Sequence, residues 1–279
     1  MKNRKPYVCD NDNIYTIAVG AMNSTYKGLP TKKPTLESLS SSVKVRYLEY
    51  DNKFNNNDLL TISNSNRNNT EKEALIYLYE GRSNTVSDLK NSIKLNQDVH
   101  LRQICPNCGL LPAVTVDHYI PKEIHPDFSI YSKNLIWSCG TCNGKKSTYW
   151  KEPTHRGIIN FYDNDIPNFN YLDCKIENNN GILKANFTLN YEKLRDYPVI
   201  KSHYERLEIL NLYKDHIPTK LAEMASDLST YKGEVSSEGV KRILIKQYFK
   251  RIREFGKNDW KAALLRAVII GKYYNLYLT

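Results

Sequence analysis

Between Cys105 and Trp150 the chain reads C-P-N-C-G, then V-D-H-Y-I-P-K, then K-N-L-I-W-S-C-G-T-C-N-G-K-K. Two Cys-x-x-Cys pairs, Cys105/Cys108 and Cys139/Cys142, bracket an Asp117-His118 dyad and Asn134. Two thiolates at that spacing reach one tetrahedral ion, and two such knuckles form an S4 set that selects zinc over harder ions. A redox Cys-x-x-Cys would open a helix in a thioredoxin-like unit, and neither pair has that setting. About thirty residues separate Cys108 from Cys139, longer than the usual ribbon gap, so a folded insert is expected there. The insert supplies a carboxylate, an imidazole and amide oxygens. Those are hard donors for a divalent ion and a base that is neutral near pH 7, which suits metal-assisted phosphodiester hydrolysis.

These groups need elements to position them. Residues 113–120 are β-branched and partly alternating, which predicts a strand, and Leu135-Ile136-Trp137 predicts a second. The run from Cys142 through Asn143, Lys145 and Lys146 predicts a helix start, a place where lysines would contact phosphate. His125 sits in the intervening loop and is read as a loop residue.

The pattern Asp-His-x-x-Pro, then Asn-Leu, then Cys-x-x-Cys-Asn-x-x-Lys resembles the HNH nuclease family in its cysteine-flanked form, over about a sixth of the chain. The resemblance implies a ββα-metal core clamped by structural Zn2+. It makes His118 the general base, and Asp117 and Asn143 the ligands of a catalytic Mg2+ or Mn2+. Asn134 pins the loop between the strands and helps to orient the base. Asn143 stands where the family often has His, a weaker neutral ligand. The layout is most similar to stand-alone bacterial HNH proteins, some of which serve anti-phage systems beside an ATPase partner. The implied substrate is DNA. An RNase reading, such as a tRNA-cleaving toxin, and a non-catalytic zinc-containing nucleic-acid-binding protein are the alternatives.

The expected fold class is α+β. Residues 1–100 form a mixed N-terminal region, 101–152 the nuclease module, 153–195 a β-hairpin connection and 196–279 a basic helical subdomain. In the first region Val43 to Tyr47 alternates and predicts a strand. Asn55–Asp58 and Ser63–Asn69 are polar loops or disorder. Thr70 is expected to cap a helix, and a second helix is expected over Val86–Leu95. Tyr171–Ile176 and Ile182–Tyr191 predict a hairpin turning at Asn178–Gly181. Leu244, Tyr248, Ile252 and Phe255 recur at helical spacing. Asp259 is expected to cap a last helix, Trp260–Tyr274.

The 279 residues carry a net charge of +10. Ten basic residues against Glu254 and Asp259 leave +8 between Lys241 and Lys272. That surplus favours a polyanion partner, with Lys246, Lys250 and Arg253 as candidate nucleic-acid contacts beside Lys145 and Lys146. Cys9 and Cys174 are isolated and read as free thiols. No apolar run follows the charged N-terminus and none reaches membrane-spanning length, so a cytoplasmic protein without a membrane partner is expected. A homodimer is plausible, because one such site cuts one strand.

Overall fold

The computed structural model describes residues 1–81, 83–163, 165–179 and 182–278. It belongs to the α+β class, with helices and, among the described residues, three small two-stranded sheets. The chain divides into two compact units, residues 3–104 with 112–164, and residues 1–2, 105–111 and 165–279. The module expected over 101–152 thus lies in the first unit apart from its first knuckle. No helix among the described residues is long and apolar enough to cross a membrane.

The first unit opens with α1 (Asn11–Gly20), whose cap Asp10 accepts a hydrogen bond from the Asn13 amide. The short strands β1 (Thr25–Tyr26) and β2 (Leu29–Pro30) pair antiparallel. Next comes α2 (Lys33–Asn55), with Pro34 in its first turn. The strand expected over Val43–Tyr47 is a correction, since those residues lie inside α2. Leu36, Leu39, Val43, Tyr47 and Tyr50 are buried at steps of three and four, whereas Val45 is 65% exposed. The local alternation of β-branched residues therefore gave way to a longer helical stripe. Tyr47 and Tyr50 pack against Tyr131, with ring centroids 4.6 and 4.8 Å apart.

Helix α3 (Asn69–Glu80) begins earlier than expected. Asn68 rather than Thr70 caps it, in a reciprocal capping box with Glu71. Helix α4 (Asn84–Leu95) buries Val86, Leu89 and Ile93. Strands β3 (Thr115–His118) and β4 (Leu135–Ser138) pair antiparallel, with Thr115 opposite Ser138 and His118 opposite Leu135. Helix α5 (Gly140–Lys146) follows at once. Helix α4 is tied to β4 by the Trp137 indole, which donates to the Lys90 carbonyl at 2.8 Å.

In the second unit β5 (Leu172–Asn179) and β6 (Ile182–Leu189) form a hairpin. Its expected turn includes positions 180 and 181, which lie outside the described residues. Four helices follow, α6 (Pro198–Arg206), α7 (Ile209–Ser229), α8 (Ser237–Phe255) and α9 (Trp260–Ile270). Helix α9 ends four residues before the expected Tyr274. Gly256, at φ +89°, separates α8 from α9. A Cβ there would lie 2.0 Å from the Met1 carbonyl oxygen, so the turn admits only glycine. The carboxylate of Asp259 then caps α9 by accepting from the Lys261 and Ala262 amides.

Candidate metal centre and active site

The first knuckle is a tight turn. Cys105 N–H donates to the Leu111 carbonyl at 2.9 Å, and Gly109 N–H to the Cys105 carbonyl at 2.8 Å. Gly109 takes φ +65°, a left-handed position that favours glycine. The Leu111 amide approaches Cys108 Sγ at 3.5 Å. In the second knuckle Cys139 is the N-cap of α5, and its Sγ accepts from the Cys142 amide at 3.3 Å. Amides aimed at sulfur stabilise thiolate over thiol. The four Sγ atoms of Cys105, Cys108, Cys139 and Cys142 all lie within 4.8 Å of one another, and all four residues are buried. This donor set fits a tetrahedral zinc ion, whose bonds to sulfur are about 2.3 Å.

Three successive carbonyls of the first knuckle are each met by a side chain from the C-terminal helices. His203 Nε2 donates to Asn107 O at 3.0 Å, the Tyr213 hydroxyl to Cys108 O at 2.8 Å, and the Trp260 indole to Gly109 O at 3.0 Å. Nothing in the spacing of residues 203, 213 and 260 signals this convergence, because it is made by tertiary packing.

Asp117 and His118 end β3, and both are buried. His118 Nε2 lies 2.9 Å from the Ser129 carbonyl oxygen. A carbonyl only accepts, so Nε2 carries the proton and Nδ1 keeps its lone pair. Burial holds the His118 pKa down at about 3, the Ser129 hydrogen bond opposes that shift, and Lys122 and Lys146 add to it. The imidazole is therefore neutral across the physiological range. The Tyr79 ring meets it edge-on, centroids 4.3 Å apart, and fixes its plane.

Asn134 is fully buried and pins the loop between β3 and β4. Its Oδ1 accepts from the Ile120 amide at 2.8 Å, and its Nδ2 donates to the carbonyls of Ile120 and Phe128. The loop so held carries Ser129, the acceptor for His118. Asn143, on α5, donates weakly to Thr115 Oγ1 at 3.4 Å. A cleft of about 310 Å3 is lined by Tyr79, Asp117, His118, Lys122, Glu123 and Asn143, among others. The structure thus brings Asp117, His118 and Asn143 to one cavity, with Asn134 behind it.

Lys146 departs from expectation. It is 1% exposed, and its ammonium lies 3.0 Å from Asp117 Oδ1 and 2.6 Å from the His118 carbonyl oxygen. A cation so enclosed is a partner of Asp117 and is withdrawn from any phosphate at the surface. Lys145 is half-buried. Lys246, Lys250 and Arg253 are exposed on α8, in the second unit. His125, read as a loop residue, is buried against Phe128 and Trp150 and does not line the cleft. Tyr79, Ser129 and Glu123 enter the site unannounced by any motif, and Lys122, which ends the V-D-H-Y-I-P-K run, enters it without an assigned role.

No family model matches the chain, and no solved structure matches it. It is similar to Septu protein PtuB of Bacillus thuringiensis, 40% identical over 58 residues, covering 20% of this chain and 23% of the relative. It is also similar to protein ea31 of Escherichia phage lambda, 32% identical over 104 residues, covering 35% of this chain and 34% of the relative. The chain spans between about a quarter and a third of the length of these curated relatives.

Proposed function

We propose that the protein is a metal-dependent HNH endonuclease that hydrolyses phosphodiester bonds in DNA. The reading rests above all on His118. The Ser129 carbonyl fixes its proton on Nε2, its other nitrogen keeps a lone pair, and Asp117 and Asn143 line the same cleft. In this role Nδ1 takes a proton from water, the water oxygen attacks phosphorus, and the 3′ oxygen leaves and is protonated by solvent. Asn134 keeps the loop of Ser129 in place, so the base stays in one tautomer. The Asp117 carboxylate and the Asn143 amide oxygen are hard donors on adjacent elements, which fits Mg2+ or Mn2+. When bound, such an ion supplies charge stabilisation for the phosphate and the leaving oxygen. The products expected from the family resemblance carry 5′-phosphate and 3′-hydroxyl ends.

The stretch shared with Septu protein PtuB supports a place in anti-phage defence, as the resemblance to stand-alone bacterial HNH effectors also suggests. An ATPase partner and a homodimer belong to that reading, and co-purification from the native host tests them.

The deciding experiment is plasmid cleavage by zinc-loaded protein with Mg2+, Mn2+ or no divalent ion, wild type beside His118→Ala and His118→Gln. Metal-dependent nicking or linearisation that both variants lose supports the reading. Cleavage retained by folded variants rejects His118 as the base. A wild type inert on DNA but active on RNA rejects the substrate.

A further inference from the structure

Helix α8 spends its apolar side on the core, where Val240 and Leu244 are buried. Its basic residues fall into two sets. Lys241 and Arg242 lie 3.7 and 3.9 Å from Glu238, and Arg251 makes two short bonds to Asp259 at 2.6 and 2.9 Å. Lys246, Lys250 and Arg253 are exposed and have no ion pair among the described residues. They recur at steps of four and three, so they share one face over about 10 Å of helix. Phe249, three residues from Lys246 and four from Arg253, lies on the same face and is 58% exposed. Its ring is braced by Tyr248, edge to face at 5.4 Å. Phe249 is thus an aromatic ring largely in solvent beside three exposed cations.

We infer that this face of α8 is a binding surface for single-stranded nucleic acid, with Lys246, Lys250 and Arg253 on the phosphates and Phe249 stacked on a base. Cations that track a backbone around an aromatic platform are the recurrent means of holding a single strand. A duplex offers the same phosphates but keeps its bases stacked, which would leave Phe249 without a partner. A lipid surface would call for an exposed apolar stripe, and on α8 Phe249 is the one large apolar side chain that is exposed among the described residues. The inference is independent of the nuclease reading, since binding here requires no cleavage.

The test uses full-length, zinc-loaded His118→Ala protein without added divalent ion, so that cleavage does not interfere. Binding is measured by fluorescence anisotropy with 20-nucleotide single-stranded DNA and RNA, the matching duplex, and vesicles containing phosphatidylglycerol. Tighter binding to either single strand than to duplex or vesicles is expected. Removing three phosphate contacts in Lys246→Ala/Lys250→Ala/Arg253→Ala should make the slope of log affinity against log salt shallower by about 2. Phe249→Ala should weaken single-strand binding roughly tenfold and duplex binding little. All four positions are exposed, so melting temperature and zinc content should stay at wild type. Binding and salt slope unchanged in the triple variant overturn the surface. A preference for duplex or for vesicles overturns the single-strand assignment. Wild-type protein that binds single strands through this face but cleaves no nucleic acid with Mg2+ or Mn2+ would count against the nuclease reading alone.

Discussion

Lys146 and Asp117 form a buried ion pair, Nζ to Oδ1 at 3.0 Å, between the last residue of α5 and the strand that carries His118. The ammonium sets a positive charge directly against the Asp117 carboxylate, and little of either side chain reaches solvent. The same ammonium bonds the His118 carbonyl oxygen and so clamps α5 to the end of β3. Asn143 rides on that helix, so one lysine side chain sets the spacing between the two proposed ion ligands.

Lys146→Met should therefore do two things. Removing one partner of a buried pair costs about 3–5 kcal/mol, and the melting temperature of the zinc-loaded protein should fall accordingly. A divalent ion at Asp117 would restore the lost counter-charge, so Mn2+ should raise the melting temperature of Lys146→Met more than that of wild type. Paired thermal scans with and without Mn2+ read both effects. An unchanged melting temperature would show that the pair contributes nothing, and an equal Mn2+ response would separate Lys146 from the ion site.

The knuckle of Cys105 and Cys108 is gripped by three donors drawn from α6, α7 and α9, at His203, Tyr213 and Trp260. Trp260→Phe keeps most of the ring and deletes the donor to Gly109 O, which should cost about 1–3 kcal/mol for the stranded carbonyl. Tyr213→Phe should cost a similar amount through Cys108 O. Because the grip and the metal hold the same turn, extracting zinc should lower hydrogen-exchange protection in α6, α7 and α9. Protection there that is unchanged after complete chelation would show that the helices fold independently of the metal.

Much of this site was legible in the chain because its signals are local. Cysteine spacing marks each knuckle, and the β-branched run around Val114 and Val116 marks the first strand of the hairpin. Asp259 after Gly256 marks the start of α9. The losses have the opposite character. Val43-Lys44-Val45 alternates over a few residues, and only the stripe from Leu36 to Tyr50 reveals the helix. Lys146 reads as a phosphate contact in the sequence, because a one-dimensional pattern does not say which flank of a two-turn helix faces Asp117. Ser129, His203, Tyr213 and Trp260 act through contacts that span 11 to 151 residues of sequence. Asp127 was passed over for the same reason.

Asp127 is 1% exposed and is held by Arg67, with Nε and Nη2 at 2.8 and 2.6 Å from Oδ1, while Ser65 donates to Oδ2 at 2.8 Å. These bonds pin the polar segment 63–69, read as loop or disorder from its composition, onto the loop that carries Ser129. Arg67→Met leaves the carboxylate under-compensated and should destabilise the protein by about 3 kcal/mol in urea melts. It should also speed proteolysis within residues 63–69. Wild-type proteolysis rates in a destabilised Arg67→Met would show that the segment is held by other contacts.

Stability should also fall in mild acid, and His125 supplies a measurable part of the fall. Burial pushes its pKa down to about 4, with Arg46 and Lys151 adding to the shift and Asp127 and Glu49 opposing it. The ordinary histidine value is about 6.5. Between those values the unfolded chain binds a proton that the folded chain refuses, so stability rises with pH across this window. The contribution is intact above about pH 6.5 and is lost as pH falls toward 4, by at most about 3 kcal/mol. His118 and His203 are shifted in the same direction and steepen the total. His125→Gln isolates one share. It should be less stable than wild type at pH 7, because it loses packing against Phe128 and Trp150, yet its urea midpoint should decline less between pH 6.5 and 4. A decline parallel to wild type would mean that His125 is protonated equally in the folded and unfolded chains, and would place the acid sensitivity on the other buried histidines and the thiolates.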